Sequence, residues 1–238
     1  MGPDPDPAGV VRVRAPNPSP MTLGGTNTYV VDGWAIDPGP DDERHLDSVL
    51  AAAGGALQGV LLTHTHPDHS EAAEPLAARA GGVPVILPGE GDEIGPFAAI
   101  ATPGHAPDHV CLLLEGVCFA GDLVMGTGSV FVGGGEGSLS AYLDSLRRVR
   151  RLDLDLIAPG HGPYVRDPAA KIDEYIAHRL HREQLLLEAL ESGARTDDAL
   201  LDHAWSDVPP ELRPAATLTL HAHLDKLRDE DRLPPDLG

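Results

Sequence analysis

Short apolar runs broken by Gly, Pro and Asp fill the first two thirds of the chain. The runs Val10-Arg14, Thr28-Val31, Trp34-Ile36, Val60-Thr63, Val83-Leu87, Ile100-Thr102, His109-Leu114 and Cys118-Ala120 predict strands, because β-branched residues bounded by turn formers suit a half-buried pleated surface. Asp42 to Ala53 and Asp68 to Ala80 are rich in alanine with leucines at helical spacing, which predicts two helices among them. Val31-Asp32-Gly33-Trp34 reads as a tight hairpin with Asp-Gly at its centre, so the early strands are antiparallel. Later strands alternate with helices, and a layered mixed α/β arrangement follows. From Pro168 onward helix formers dominate, with Ile172, Ile176, Leu180 and Leu187 spaced to line one face. A further helix follows Gly193, capped by Thr196, and the last is expected from Pro210 to Asp229. The pattern divides the chain into domains 1–167 and 168–238, the second a small bundle or winged-helix-like appendage.

Composition narrows the class. The 238 residues are 42% hydrophobic, enough for one large core and a small appendage. No uninterrupted apolar run approaches the roughly 18 residues of a membrane span and no basic-then-apolar leader opens the chain, so a cytoplasmic protein is expected. The opening Pro/Asp stretch, Met1 to Pro7, is expected to be disordered. Cys111 and Cys118 lie in apolar surroundings and read as buried free thiols rather than a disulfide. A net charge of −20 disfavours phosphate-backbone binding, and the acidic Asp229-Glu230-Asp231 argues against DNA. Between Arg147 and Arg182, however, eight basic residues face five acidic ones, a stretch that either steers an anion or decorates helix surfaces. The patch Gly133-Gly134-Gly135-Glu136-Gly137 lacks the Lys-Ser/Thr of a phosphate-binding loop and reads as a flexible loop.

The chemistry concentrates in Thr63-His64-Thr65-His66-Pro67-Asp68-His69, directly after an apolar run. Imidazole and carboxylate are ligands that Zn²⁺ accepts, and alternate positions of an extended segment point the same way, so His64 and His66 can share one ion. Pro67 turns the chain and sends Asp68 and His69 toward a second. Two ions need about seven protein ligands. Three more candidates each follow a strand in a loop made tight by glycine: His105 after Thr102-Pro103-Gly104, Asp122 after Ala120-Gly121, and His161 within Pro159-Gly160-His161-Gly162.

His64-x-His66-x-Asp68-His69 followed by His105, Asp122 and His161 resembles the metallo-β-lactamase superfamily over residues 10–165. The resemblance implies an αββα sandwich with a dinuclear metal centre at one edge. Carried over, His64, His66 and His105 hold one ion, Asp68, His69 and His161 the other, and Asp122 bridges them. Asp37, in Asp37-Pro38-Gly39, matches the family's early turn and orients a ligand histidine. The flanks Asn17 to Tyr29 and Tyr175 to Gln184 are similar to the beta-lactamase-like protein 2 group, which adds a C-terminal winged-helix domain. Asp122 argues against a true β-lactamase.

The resemblance implies a two-zinc hydrolase, iron or manganese being the other metals such donors accept. A hydroxide poised between the ions would attack an ester, thioester, lactone or phosphodiester, with Asp68 directing it and accepting its proton. No Gly-x-Ser-x-Gly supports a serine hydrolase. His178 and Arg179 are candidates to bind an anionic group of a small acyl or anionic substrate. Two alternatives stand beside this. Animal members of the group are associated with RNA cleavage, which the acidic balance here disfavours. The superfamily also holds mononuclear-iron persulfide dioxygenases, whose donor set His64 or His66 with His105 and Asp122 would match.

Overall fold

The computed structural model describes residues 4–133 and 137–234. Ten strands and seven helices follow one another as β1 (Val10–Arg14), β2 (Asn27–Val31), β3 (Trp34–Ile36), α1 (Glu43–Ala52), β4 (Gly59–Leu61), α2 (Pro67–Ser70), α3 (Ala73–Arg79), β5 (Val85–Ile86), β6 (Glu93–Ile94), β7 (Phe97–Ala101), β8 (Val110–Leu114), β9 (Val117–Gly121), α4 (Leu139–Val149), β10 (Leu156–Pro159), α5 (Pro168–Glu191), α6 (Asp197–Ala204) and α7 (Arg213–Asp229). They form two compact units. One holds residues 4–102, 108–128 and 153–168; the other holds 103–107, the described part of 129–152, and 169–234.

The first unit is a pair of mixed five-stranded sheets, ordered β1-β2-β3-β4-β5 and β10-β9-β8-β7-β6. Parallel pairing is confined to β3-β4, β4-β5 and β9-β10, and the other neighbours are antiparallel. The expected hairpin is present, with Asp32 and Gly33 both at positive φ, 48° and 77°, as its tight turn requires. Between the sheets Tyr29, Ile36, Leu61, Phe97, Leu112 and Phe119 pack into one core, and the Tyr29 and Phe119 rings meet edge-on at 5.2 Å. Burial on both faces explains why β2 reads as a nearly continuous apolar run rather than an alternation. On the other face of the first sheet Leu46, Val49, Leu76 and Ala77 of α1 and α3 cover Val30, Ala35 and Val60.

Four expectations are corrected. The helix predicted from Asp68 to Ala80 is broken into α2 and α3, because tertiary bonds intercept its ladder: the Asp68 carbonyl accepts from Thr26 Oγ1 at 2.9 Å and the Ala72 N–H donates to Gly39 O at 3.0 Å. Helix α4 had no counterpart in the prediction, although Leu139, Tyr142, Leu143, Leu146 and Val149 are buried at helical spacing and Ser138 caps Ala141 N. The acidic opening is anchored: Asp4 and Asp6 accept from the Tyr164 N–H and hydroxyl, and Asp4 binds Arg166 at 2.8 Å. Met1 to Pro3 lie outside the described residues, as do Gly134 to Glu136 of the glycine patch. Finally, the stripe predicted on α5 is offset. Ile172 is buried, but Leu180 is 44% exposed, and the inward positions are Ile172, Tyr175, Arg179, Arg182, Glu183 and Leu186.

The second unit is helical among its described residues. Leu186, Leu190, Leu200, Leu201, Trp205, Leu220 and Leu227 form its core. Lys226 on its inward face is paired with Glu183 at 2.6 Å, and Arg232 with the same carboxylate. No helix of the described chain is long and apolar enough to cross a membrane.

Candidate metal centre

Strand ends place the cluster. β4 runs into Thr63-His64, β9 ends at Gly121 before Asp122, and β10 ends at Pro159 before Gly160-His161. Backbone bonds tie these ends together: Val110 N to Thr63 O at 2.8 Å, Gly160 N to Gly121 O at 2.8 Å, and Asn27 N to Gly160 O at 2.8 Å. Asn27 also donates its side-chain amide to Pro159 O and Gly162 O at 3.0 and 2.8 Å, clamping the His161 loop. Thr26 and Asn27 thus position the site without facing it, and nothing in their spacing marks them.

Asp37, buried, organises the histidines. One oxygen accepts from the Thr63 N–H at 2.8 Å; the other accepts from Thr63 Oγ1 at 2.7 Å and lies 2.9 Å from His69 Nδ1. In the neutral ring the carboxylate therefore places the His69 proton on Nδ1 and leaves Nε2 as a lone pair. Because the Thr63 hydroxyl donates to Asp37, its oxygen accepts from His64 Nδ1 at 3.0 Å, fixing that ring in the same tautomer. Asp37 so orients His69 directly and His64 through Thr63. The relay through Thr63 escaped the sequence reading, since threonine after an apolar run reads as strand.

The donor atoms converge. His69 Nε2 and His161 Nε2 are 3.2 Å apart, and Asp68 Oδ2 is 3.2 Å from His161 Nε2 and 3.8 Å from His69 Nε2. Two ligands about 2.1 Å from a tetrahedral ion stand roughly 3.4 Å apart, so this trio fits a cation. Asp122 Oδ1 is 3.4 Å from both imidazole nitrogens. His64, His69 and Asp122 form a second overlapping group, which puts Asp122 beside both sets. His64 Nε2 in turn lies 3.1 Å from His66 Nδ1, as the alternate spacing predicted.

Electrostatics favour a cation here. Burial alone would lower the His69 pKa, but Asp122 and Asp37 outweigh it and hold it well above the ordinary value. Burial would raise Asp68, yet its hydrogen bond with His161 and the charge of His69 pull it below the usual carboxylate range. Two glycines admit the cluster. A Cβ on Gly160 would meet His69 Cε1 at 2.5 Å, and one on Gly121, at φ 43°, would meet Thr63 Oγ1 at 2.4 Å. His109 is a supporting residue: its Nε2 accepts from the Asp122 N–H at 3.1 Å and its Nδ1 bonds Thr102 Oγ1 at 2.8 Å.

His105, His178 and Arg179 belong to the second unit. There His105 Nδ1 donates to Phe131 O at 2.8 Å, which directs Nε2 outward from that bond. His178 Nε2 accepts from Arg182 Nε at 3.3 Å. Burial, then the Arg179 and Arg182 charges, push its pKa down to about 4, so it is neutral at pH 7. Arg179, 3% exposed, donates to the Val130 carbonyl. Of the basic stretch, Arg147, Arg150, Arg166, Lys171 and Arg182 are each paired with a carboxylate.

Known proteins agree with this picture. The family described as the metallo-beta-lactamase superfamily matches residues 78–161, and the beta-lactamase associated winged helix domain matches 196–233. Beta-lactamase-like protein 2 homologs from Drosophila melanogaster and Caenorhabditis elegans are 32% and 30% identical, covering 94% and 92% of this chain and 89% and 83% of theirs. A metallo-beta-lactamase family protein from Thermus thermophilus superposes with a TM-score of 0.79 at 24% identity over 94% of both chains. A protein crystallised in a di-iron-bound form matches at 27% identity and a TM-score of 0.55, over 67% of this chain and 96% of that one. With a buried His/Asp cluster at the edge of two facing sheets and relatives of this likeness along nearly its whole length, the chain belongs to the metallo-β-lactamase superfamily, among the relatives of beta-lactamase-like protein 2.

Proposed function

We propose that the protein is a metal-dependent hydrolase with two adjacent ions, zinc in the first instance, acting on an ester, thioester, lactone or phosphodiester bond of a small substrate. The observation that carries this is the convergence of His69 Nε2, His161 Nε2 and Asp68 Oδ2, with Asp37 holding His69 in the ligating tautomer. Asp68, His69 and His161 would hold one ion, His64 and His66 would hold the other, and Asp122 would serve both. His105 joins the second set on its motif position alone. When bound, such ions lower the pKa of a coordinated water toward neutrality and polarise a carbonyl or phosphoryl oxygen.

The chain's own residues set the rest. Asp68 keeps its carboxylate ionised and 34% exposed, so it can take a proton from an attacking water on the solvent side. Asp122 is held at its backbone by His109, which fixes the carboxylate's starting point. The net charge of −20 supports a small substrate over RNA.

Zinc-loaded protein assayed against thioesters, lactones, phosphodiesters and short RNA tests the reading. Asp68→Ala should lower kcat by about 10²–10⁴-fold on whichever substrate turns over, while the melting temperature stays close to that of the parent. Turnover equal to the parent's would remove Asp68 from the chemistry. Silence across the panel with two zinc ions bound would sink the hydrolase reading. A second reading, mononuclear iron oxidation, draws on the grouping of two histidines, His64 and His69, with Asp122. One iron per chain and oxygen uptake with a persulfide would favour it.

A further inference from the structure

The second unit holds a half-open cavity of about 240 Å³ with an unusual wall. Arg179 lines it at 3% exposure. One of its amino groups donates to the Val130 carbonyl and its guanidinium lies 5.4 Å from the Tyr142 ring centroid. Its Nε has no hydrogen-bond partner among the described residues, and no carboxylate there pairs with it. Ser129 Oγ and Thr219 Oγ1, also on the wall, are buried and equally unpartnered among those residues. Three buried polar groups on residues of one cavity wall are costly unless something satisfies them, the guanidinium most of all.

Charge accounting defines what that is. Arg182 is neutralised by Asp207 through two contacts of 2.7 and 2.8 Å. His178 carries no charge at neutral pH. Among the described residues one positive charge is left uncompensated, which a single negative charge balances and two would exceed. The rest of the wall is apolar, with Trp205, Val208 and Leu212. Such a surface suits an apolar body rather than a hydrated ion.

We propose that this cavity is a binding site for a small monoanionic organic acid, its carboxylate on Arg179 with the Ser129 and Thr219 hydroxyls, its apolar end against Trp205. The site is built wholly within the helical unit. It goes beyond the hydrolase reading, because its occupancy is measured as binding and needs neither turnover nor metal.

Titration calorimetry on the full chain tests it, zinc-loaded and again after chelation, with butyrate, butyramide, succinate and inorganic phosphate at matched ionic strength. Butyrate should bind saturably in both states, with butyramide and succinate weaker by about tenfold or more. Thr219→Val, which keeps the volume and deletes the hydroxyl, and Ser129→Ala should each weaken butyrate by about tenfold. Arg179→Gln should weaken it by up to about a hundredfold, and the two hydroxyl variants carry the test if that protein does not fold. Butyrate binding that needs zinc, that survives Thr219→Val unchanged, or that phosphate exceeds would overturn the proposal.

Discussion

His69 and His223 are both fully buried, yet their surroundings push them in opposite directions. Around His69 the charged neighbours are Asp122 and Asp37, and against burial they hold the imidazole well above its ordinary pKa. Around His223, burial comes first and Arg179 and Lys226 add to it, bringing the ring down to about 3. Equal burial therefore decides little; the sign of the nearby charge decides whether a pocket invites a cation or an anion. The sheet unit has gathered carboxylates around its imidazoles, a receptor for positive ions. The helical unit has gathered guanidinium groups and neutral histidines, a receptor for negative ones.

The contrast can be broken most severely at Asp37, the residue that keeps two imidazoles in the ligating tautomer. Asp37→Asn should cost about 10–100-fold in metal affinity, read by competition with a chromogenic chelator; parent-like affinity would show that the tautomers are set elsewhere. Next in size, Gly160→Ala drives a methyl into His69 Cε1, and overpacking of that kind destabilises by about 1–3 kcal/mol. A denaturant melt of the metal-free variant checks it, with reduced metal stoichiometry as the companion readout.

Acidity sharpens the comparison further. In the metal-free protein the proton on His69 contributes stability that is full below about pH 6.5 and lost as pH rises through its raised value. A bound metal must displace that proton, so metal affinity should fall by up to about tenfold per pH unit on acidification. For His223 the sign reverses. Stability is intact above about pH 6.5 and declines as pH falls toward about 3. Melts from pH 7 to pH 4 should show an acid loss that His223→Leu reduces, and an unchanged slope would discount the positive surroundings. Smallest of all, Arg147→Ala on the exposed face of α4 should move stability by less than about 0.5 kcal/mol, since the Asp144 pair is solvated on both sides.

Legibility differed between the two regions for the same reason that they differ in construction. The clustered donors follow strand ends, where a short loop must present its side chains at once, so His64, His66, Asp68 and His69 stand side by side in the sequence. Glycines beside Asp122 and His161 advertise close approach. Arg179 and Arg182 sit on a helix, where an inward position is recognised by apolar character, and charged residues at those positions are read as solvent-facing. A stripe through Ile176 and Leu180 lies one position away from the true face for that reason. The break between α2 and α3 was equally invisible, because Thr26 and Gly39 draw the backbone groups away from more than thirty residues upstream.

The sequence alone determined the donor types, their strand-end spacing, the hairpin at Asp32-Gly33 and the helical character of the C-terminal segment, since each depends on neighbours a few positions apart. Tertiary structure decided which carboxylate orients which imidazole, where a helix had to break, and that Arg179 would be buried with its guanidinium on the Val130 carbonyl. Those outcomes depend on atoms brought within about 3 Å from distant parts of the chain, and hydrogen bonds and desolvation are settled only at that range.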